Sequence, residues 1–148
     1  MDILQQFVAY ADDFEKTYMD DQWDRLRKYF HEDATYDVKS AAIPCHLTGP
    51  DAIFAGIKKS LDGFDRKFDK RELALVDDPV IEGDKISVNW AATYSKDDLD
   101  PYVLRGQSVA TYRDGKLATL SDSIELAVEK ALAEWVQATG FSVDPSYT

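Results

Sequence analysis

The dipeptide Asp114-Gly115, set between two runs of alternating residues, constrains this chain more than any other feature. Asp-Gly favours a two-residue type I′ turn, because both central positions take positive φ. Residues 103–113 and 116–124 then read as the paired strands of an antiparallel hairpin. A regular two-residue turn sets Arg113 opposite Lys116, Val109 opposite Leu120 and Gln107 opposite Asp122. Side chains alternate along a strand, so Arg105, Gln107, Val109, Leu120 and Asp122 are expected on one face. Arg105 lies diagonal to Asp122, within reach of a long side chain. An acid, an amide and a guanidinium among apolar neighbours form the candidate site.

The rest of the chain supplies helices and strands to surround that hairpin. Ile3, Leu4, Phe7, Ala11, Phe14 and Tyr18 recur at helical spacing over residues 2–19. Trp23, Leu26 and Phe30 suggest a short second helix, with Asp20 or Asp21 as its N-cap. ATYDV (34–38) reads as a strand and residues 39–47 as irregular. Gly49-Pro50-Asp51 opens a third helix, whose stripe is Ile53, Phe54, Ile57 and Leu61 and whose stop is Gly63. Residues 71–81 and 85–95 read as strands, the second carrying Ile86, Val88, Trp90, Ala92 and Tyr94 on one face. A last helix fills 124–139 and ends at Gly140. These elements predict one α+β domain over residues 1–140, with a curved antiparallel sheet wrapped around the N-terminal helices. Residues 141–148 are expected to be a loose tail.

Composition narrows the function. With 148 residues and 45% hydrophobic content the chain can bury a core without disulfides or metal. Its 28 acids against 17 bases give a net charge of −11, which repels nucleic acid and anionic membranes. One cysteine and two histidines, with no HxH or HxxxH spacing, point away from a metal site. No phosphate-cradling loop or nucleophile elbow is present, so no cofactor is expected. The N-terminus lacks the pattern of a secretory signal, and no apolar run reaches the ~20 residues of a membrane helix. A cytoplasmic location is the resulting expectation.

The order of elements, with FHEDATYDV, then LTGPDAI, then the long strands and YRDGKL, resembles the SnoaL-like group of the nuclear transport factor 2-like superfamily. The resemblance covers residues 5–124. It implies a cone-shaped barrel with a pocket at its open end and a homodimer packed through the outer sheet face. Among the superfamily's enzymes, the steroid isomerase positions fall on Phe14, Val38 and near Val109, all apolar, so that mechanism is absent. Tyr36 and Asp122 match two of the five epoxide hydrolase positions. The others fall on Val38 and near Asn89 and Ala91. Tyr18 and the run Trp23–Lys28 match scytalone dehydratase, whose strand histidines have no counterpart here. Polyketide cyclases of the SnoaL type use a late-strand acid as base, a position that Asp122 fills.

Each candidate carries two readings. Asp122 is either a desolvated base or the N-cap of the last helix with Glu125 at N3. Tyr36 either donates to a ligand oxygen or is an ordinary strand aromatic. His46 is a rim acid or base, or a surface loop residue, and His31 bonds the carbonyls that end the second helix. Arg105 and Gln107 orient Asp122 or simply neutralise it. Trp90, Tyr94, Tyr102 and Tyr112 form an outer self-associating face, or pack under the last helix with Trp135. The expected pocket lining is Phe7, Phe14, Tyr18, Tyr36, Val38, Phe54, Val109 and Leu120 around Asp122. Two functions follow: an enzyme transferring a proton on a small hydrophobic molecule, with Asp122, Tyr36, Arg105 and His46 as its catalytic groups, or a binding module of the same fold. A third is a structural dimer whose barrel is filled by its own side chains.

Overall fold

A computed structural model describes residues 1–148. Helix α1 (Ile3–Asp20) opens with a capping box, in which Asp2 accepts from the Gln5 amide and Gln5 accepts from the Asp2 amide. It ends where Asp21 turns left-handed and returns its amide to the Thr17 carbonyl. The stripe expected as a second α-helix is a 3-10 segment, Trp23–Tyr29, and Phe30 already belongs to strand β1 (Phe30–Lys39). Seven residues of i→i+3 winding suffice to bury Leu26, and the strand's demand for extended backbone starts earlier than its alternation suggested.

Strand β2 (Cys45–Thr48) begins inside the stretch read as irregular and pairs antiparallel with β1. Helix α2 (Pro50–Gly63) starts on its proline as expected and buries Ile53, Phe54, Ile57 and Leu61. Strands β3 (Lys70–Leu75) and β4 (Val80–Glu82) replace the single strand expected over 71–81. Both pair with β5 (Lys85–Ser95), and Asp77, with φ of 67°, turns the chain between them. Strands β6 (Tyr102–Arg113) and β7 (Lys116–Ser123) form the hairpin, followed by helix α3 (Leu126–Thr139) and its Gly140 stop at φ 74°. No helix is long and apolar enough to cross a membrane.

The strands lie in the order β2-β1-β7-β6-β5-β3, with β4 also on β5. The first and last of these do not pair, so the sheet is open and not a closed barrel. It is also mixed: β1 and β7 run parallel, while every other pairing is antiparallel. Leu26, Ile53, Ile86, Ala110 and Leu117, each at most 1% exposed, mark the core where both early helical segments meet the sheet. A second cluster, Phe64, Phe68, Ala92, Tyr94 and Tyr102, packs against Leu132 and Trp135 of α3. Tyr94 and Tyr102 therefore face inward beneath α3, and the outer self-associating face expected for them is not formed by these side chains.

The turn is type I′ in kind, with φ of 52° at Asp114 and 78° at Gly115. Arg113 pairs with Lys116 as expected, but the register slips by one between Tyr112 and Thr111. Tyr112 sits opposite Leu117 and Thr111 opposite Thr119, leaving Ala118 as the extra residue of a β-bulge. From there on Ala110 faces Leu120, Ser108 faces Asp122 and Gln107 faces Ser123. A slip of one exchanges the two faces of a strand. This bulge decides which β6 side chains meet Asp122.

Candidate functional site

A cavity of about 670 Å³ lies between the inner sheet face, α1, α2 and α3. Of its 35 lining residues, 26 are hydrophobic, so any polar group on its wall is conspicuous.

Asp122 stands on this wall. Its Oδ2 accepts from the Tyr36 hydroxyl at 2.5 Å and its Oδ1 from the Ser108 hydroxyl at 2.5 Å. The parallel β1–β7 pairing produces the first contact, since Tyr36 pairs with Leu120 and Val38 with Asp122 on the same face. The bulge produces the second, by placing Ser108 where Gln107 was expected. Asp122 does not cap α3: Glu125 is that helix's N-cap residue, and the Ile124 amide bonds the Lys39 carbonyl. Burial raises the Asp122 pKa above the ordinary carboxylate value, and the Ser108 and Tyr36 bonds draw it part of the way back. Burial and then the Asp122 charge push the Tyr36 hydroxyl well up, so it remains a proton donor.

Ser108 is itself held. Trp90 Nε1 donates to its Oγ at 3.0 Å. Trp90 pairs directly with Gly106, and a Cβ on Gly106 would come within 2.4 Å of the indole ring. The missing side chain is what lets the indole lie across β6 and reach Ser108. Gly106→Ala is expected to push Trp90 off Ser108 and shift the Asp122 titration, with a stability loss of about 1–3 kcal/mol from overpacking. Tryptophan fluorescence and a denaturation midpoint check it. An unchanged Trp90 environment would refute the strap-down role of Gly106.

A second polar group lines the same cavity. Asp65 Oδ2 accepts from Arg71 Nε at 2.9 Å and from the Tyr94 hydroxyl at 2.8 Å. Arg71 Nη1 also reaches Glu15 at 2.8 Å, and its guanidinium lies 4.6 Å from the Tyr18 ring centroid. Arg71 and Asp65 side chains are each 12% exposed. Burial raises the Asp65 pKa despite the opposing pull of Arg71 and Tyr94. The Arg71 pKa is pushed up by the Asp65 and Glu15 charges, which outweigh its own burial.

The expected site residues divide clearly. Asp122, Tyr36, Phe7, Phe14 and Leu120 line the cavity. Val38 and Phe54 are buried in the core next to it, and Tyr18 sits behind Arg71. Arg105 and Gln107 point to the outer face and are exposed, and Val109 shares that face, because the bulge reversed their orientation relative to Asp122. His46 is on β2, 64% exposed, and bonds Asp37 at 2.5 Å on the side of β1 away from Tyr36. His31 bonds the Arg113 carbonyl instead of the carbonyls that end the 3-10 segment. Ser108, Trp90, Asp65, Arg71, Tyr94 and Tyr147 enter the site unanticipated. No three histidine, cysteine or acidic side chains converge as a metal ion requires.

Comparison with known proteins agrees with this architecture. The sequence profile of the SnoaL-like domain matches residues 9–120. Comparison with curated proteins finds no match. Among solved structures, an inferred SnoaL-like polyketide cyclase from Jannaschia sp. CCS1 superposes with a TM-score of 0.65 at 17% identity, over 87% of this chain and 92% of that one. An inferred isomerase from Bacillus subtilis gives 0.65 at 16% identity, over 90% and 96%. TerC, co-crystallised with polyporic acid, gives 0.64 at 18% identity, over 91% and 98%. At such identities these structures share the fold. The profile match spans most of the sequence, and the chain belongs to the SnoaL-like domain family.

Proposed function

We propose that the cavity binds a small, largely apolar organic molecule and that Asp122 moves a proton on it without a cofactor. One observation carries this reading: a carboxyl group with a raised pKa sits on an apolar cavity wall, bonded to Tyr36 and Ser108 and not spent on capping α3. A base that works near neutral pH needs such a shift. Each carboxylate oxygen accepts one bond from the protein and keeps a second acceptor site for a ligand proton. Ionised Asp122 takes that proton and, once protonated, returns it to another atom of the same ligand. Tyr36 and Ser108 fill the orienting roles that Arg105 and Gln107 cannot reach. The cavity volume suits a drug-sized ligand. A cyclase-like neighbour and a neighbour crystallised with polyporic acid support a cyclic organic substrate class.

The binding-module reading also has an observation in its favour, since Asp122 already has a protein partner on each oxygen. Both readings require a ligand, so the first test is occupancy. Native mass spectrometry of protein purified from its host is expected to show a retained organic molecule, depleted in Leu120→Trp, whose indole intrudes on the space beside Asp122. Bare protein that also takes up no neutral aromatic probe would overturn both readings. Turnover that survives Asp122→Asn would overturn the catalytic one alone.

A further inference from the structure

The C-terminal segment, expected to be loose, is seated in a groove built for it. Phe141 packs on Phe68 and Trp135, with ring centroids 5.3 and 6.0 Å away. The Asp144 amide bonds the Gly63 carbonyl at 2.9 Å, and the Ser60 hydroxyl bonds the Pro145 carbonyl at 2.6 Å. Two glycines of α2 make the close approach possible. A Cβ on Gly63 would meet the Asp144 carbonyl oxygen at 2.0 Å, and one on Gly56 would meet the Tyr147 carbonyl oxygen at 3.2 Å. Gly56, Ser60 and Gly63 lie four and three residues apart, on one helix face. The strap delivers Tyr147 into the cavity, with its ring 5.8 Å from that of Tyr36.

The protons at this end of the cavity are nearly all committed. Tyr36 and Ser108 donate to Asp122, and Ser60 donates to Pro145. The Tyr147 hydroxyl lines the cavity within hydrogen-bonding reach of the Tyr36 and Ser60 hydroxyls, and with their protons committed elsewhere its own proton can turn to a ligand. We propose that Tyr147 is the hydrogen-bond donor to the ligand oxygen at the Asp122 end, and that the tail is the element that carries this donor into the site. The proposal rests on the ligand-binding reading above. In a proton transfer, Tyr147 would bond the oxygen on which negative charge develops while Asp122 takes the proton. Burial and then the Asp122 charge raise the Tyr147 pKa against the opposing pull of the Tyr36 and Ser60 hydroxyls, which keeps its proton in place at neutral pH.

The test uses two neutral fluorescent probes of one shape, 2-naphthol and naphthalene, titrated against the full-length protein. Tyr147→Phe is expected to weaken 2-naphthol binding about tenfold, the worth of one buried hydrogen bond, and to leave naphthalene within about twofold. A merely structural role would weaken both probes together. Gly63→Ala lies outside the cavity lining and unseats the strap. It is expected to weaken both probes and to expose Phe141 to chymotrypsin while the melting midpoint still shows a folded protein. Failure of the wild type to bind either probe would overturn the ligand-binding reading, and this proposal with it. Normal wild-type binding with equal 2-naphthol affinity in Tyr147→Phe would overturn this proposal alone, and so would a Gly63→Ala protein that binds both probes normally and keeps its tail protected.

Discussion

Asp122→Asn is expected to lower turnover by about 10²- to 10⁴-fold while making the protein more stable at neutral pH. The sign follows from linkage. Burial sets the native pKa of Asp122 above its unfolded value, so between those two values the native state holds the proton more tightly. Stability from this group is therefore full below the unfolded value and falls as pH rises through the native one. Asparagine has no proton to lose and removes that decline. Its carbonyl can accept from Ser108 while its amide donates to the Tyr36 oxygen, so both contacts persist and only the Tyr36 proton must find another acceptor. The melting midpoint should rise by roughly 3 °C for each kcal/mol relieved. In the wild type, activity should climb with pH across the raised native pKa, as a base requires. Thermal melts from pH 4 to pH 8 together with a pH–rate profile check both halves. A variant equally active, or less stable at neutral pH, would remove Asp122 from the role of base.

Arg71→Met should produce the largest stability loss. The substitution leaves Asp65 buried with only Tyr94 as partner, and breaking one side of a buried ion pair costs about 3–5 kcal/mol. Glu15, whose side chain is 45% exposed, can turn to water and contributes little to that cost. The midpoint should drop by roughly 10 °C. Loss should be smaller at acid pH, where Asp65 takes up a proton. Adding Asp65→Asn should recover part of the stability, because the orphan is then neutral. Denaturant titrations of the single and double variants decide the matter. A single-variant cost below about 1 kcal/mol would mean that solvent already reaches the pair.

How far the site could be read from the sequence turns on a few residues. Asp114 and Gly115 announced the hairpin, and their positive φ values explain why so short a signal was enough. Asp122 and Tyr36 were identified, but the partners assigned to Asp122 came from the wrong face of β6. A strict alternation had been extended through a bulge. The warning was legible in Leu117 and Leu120, two leucines three residues apart that both turn inward, which a regular strand cannot place on one side. Gly106 carried another hint, since an interior strand glycine often marks a close approach. Arg71 and Asp65 were hidden for a different reason. Their pairing is tertiary, and neither position breaks any local pattern. The tail was misjudged because its alternation of Phe141, Val143, Pro145 and Tyr147 matters only once α2 offers a glycine-lined surface.

The parallel contact between β1 and β7 carries one more implication. Tyr36 and Asp122 are separated by 86 residues, and no turn links their strands. The hairpin can close locally and early, whereas this union must wait for the chain's first quarter to find its last, at a large cost in loop entropy. The Tyr36–Asp122 contact is thus tied to the completed tertiary architecture. A nascent or partly unzipped molecule would carry both side chains and yet lack the pair on which the proposed proton transfer depends.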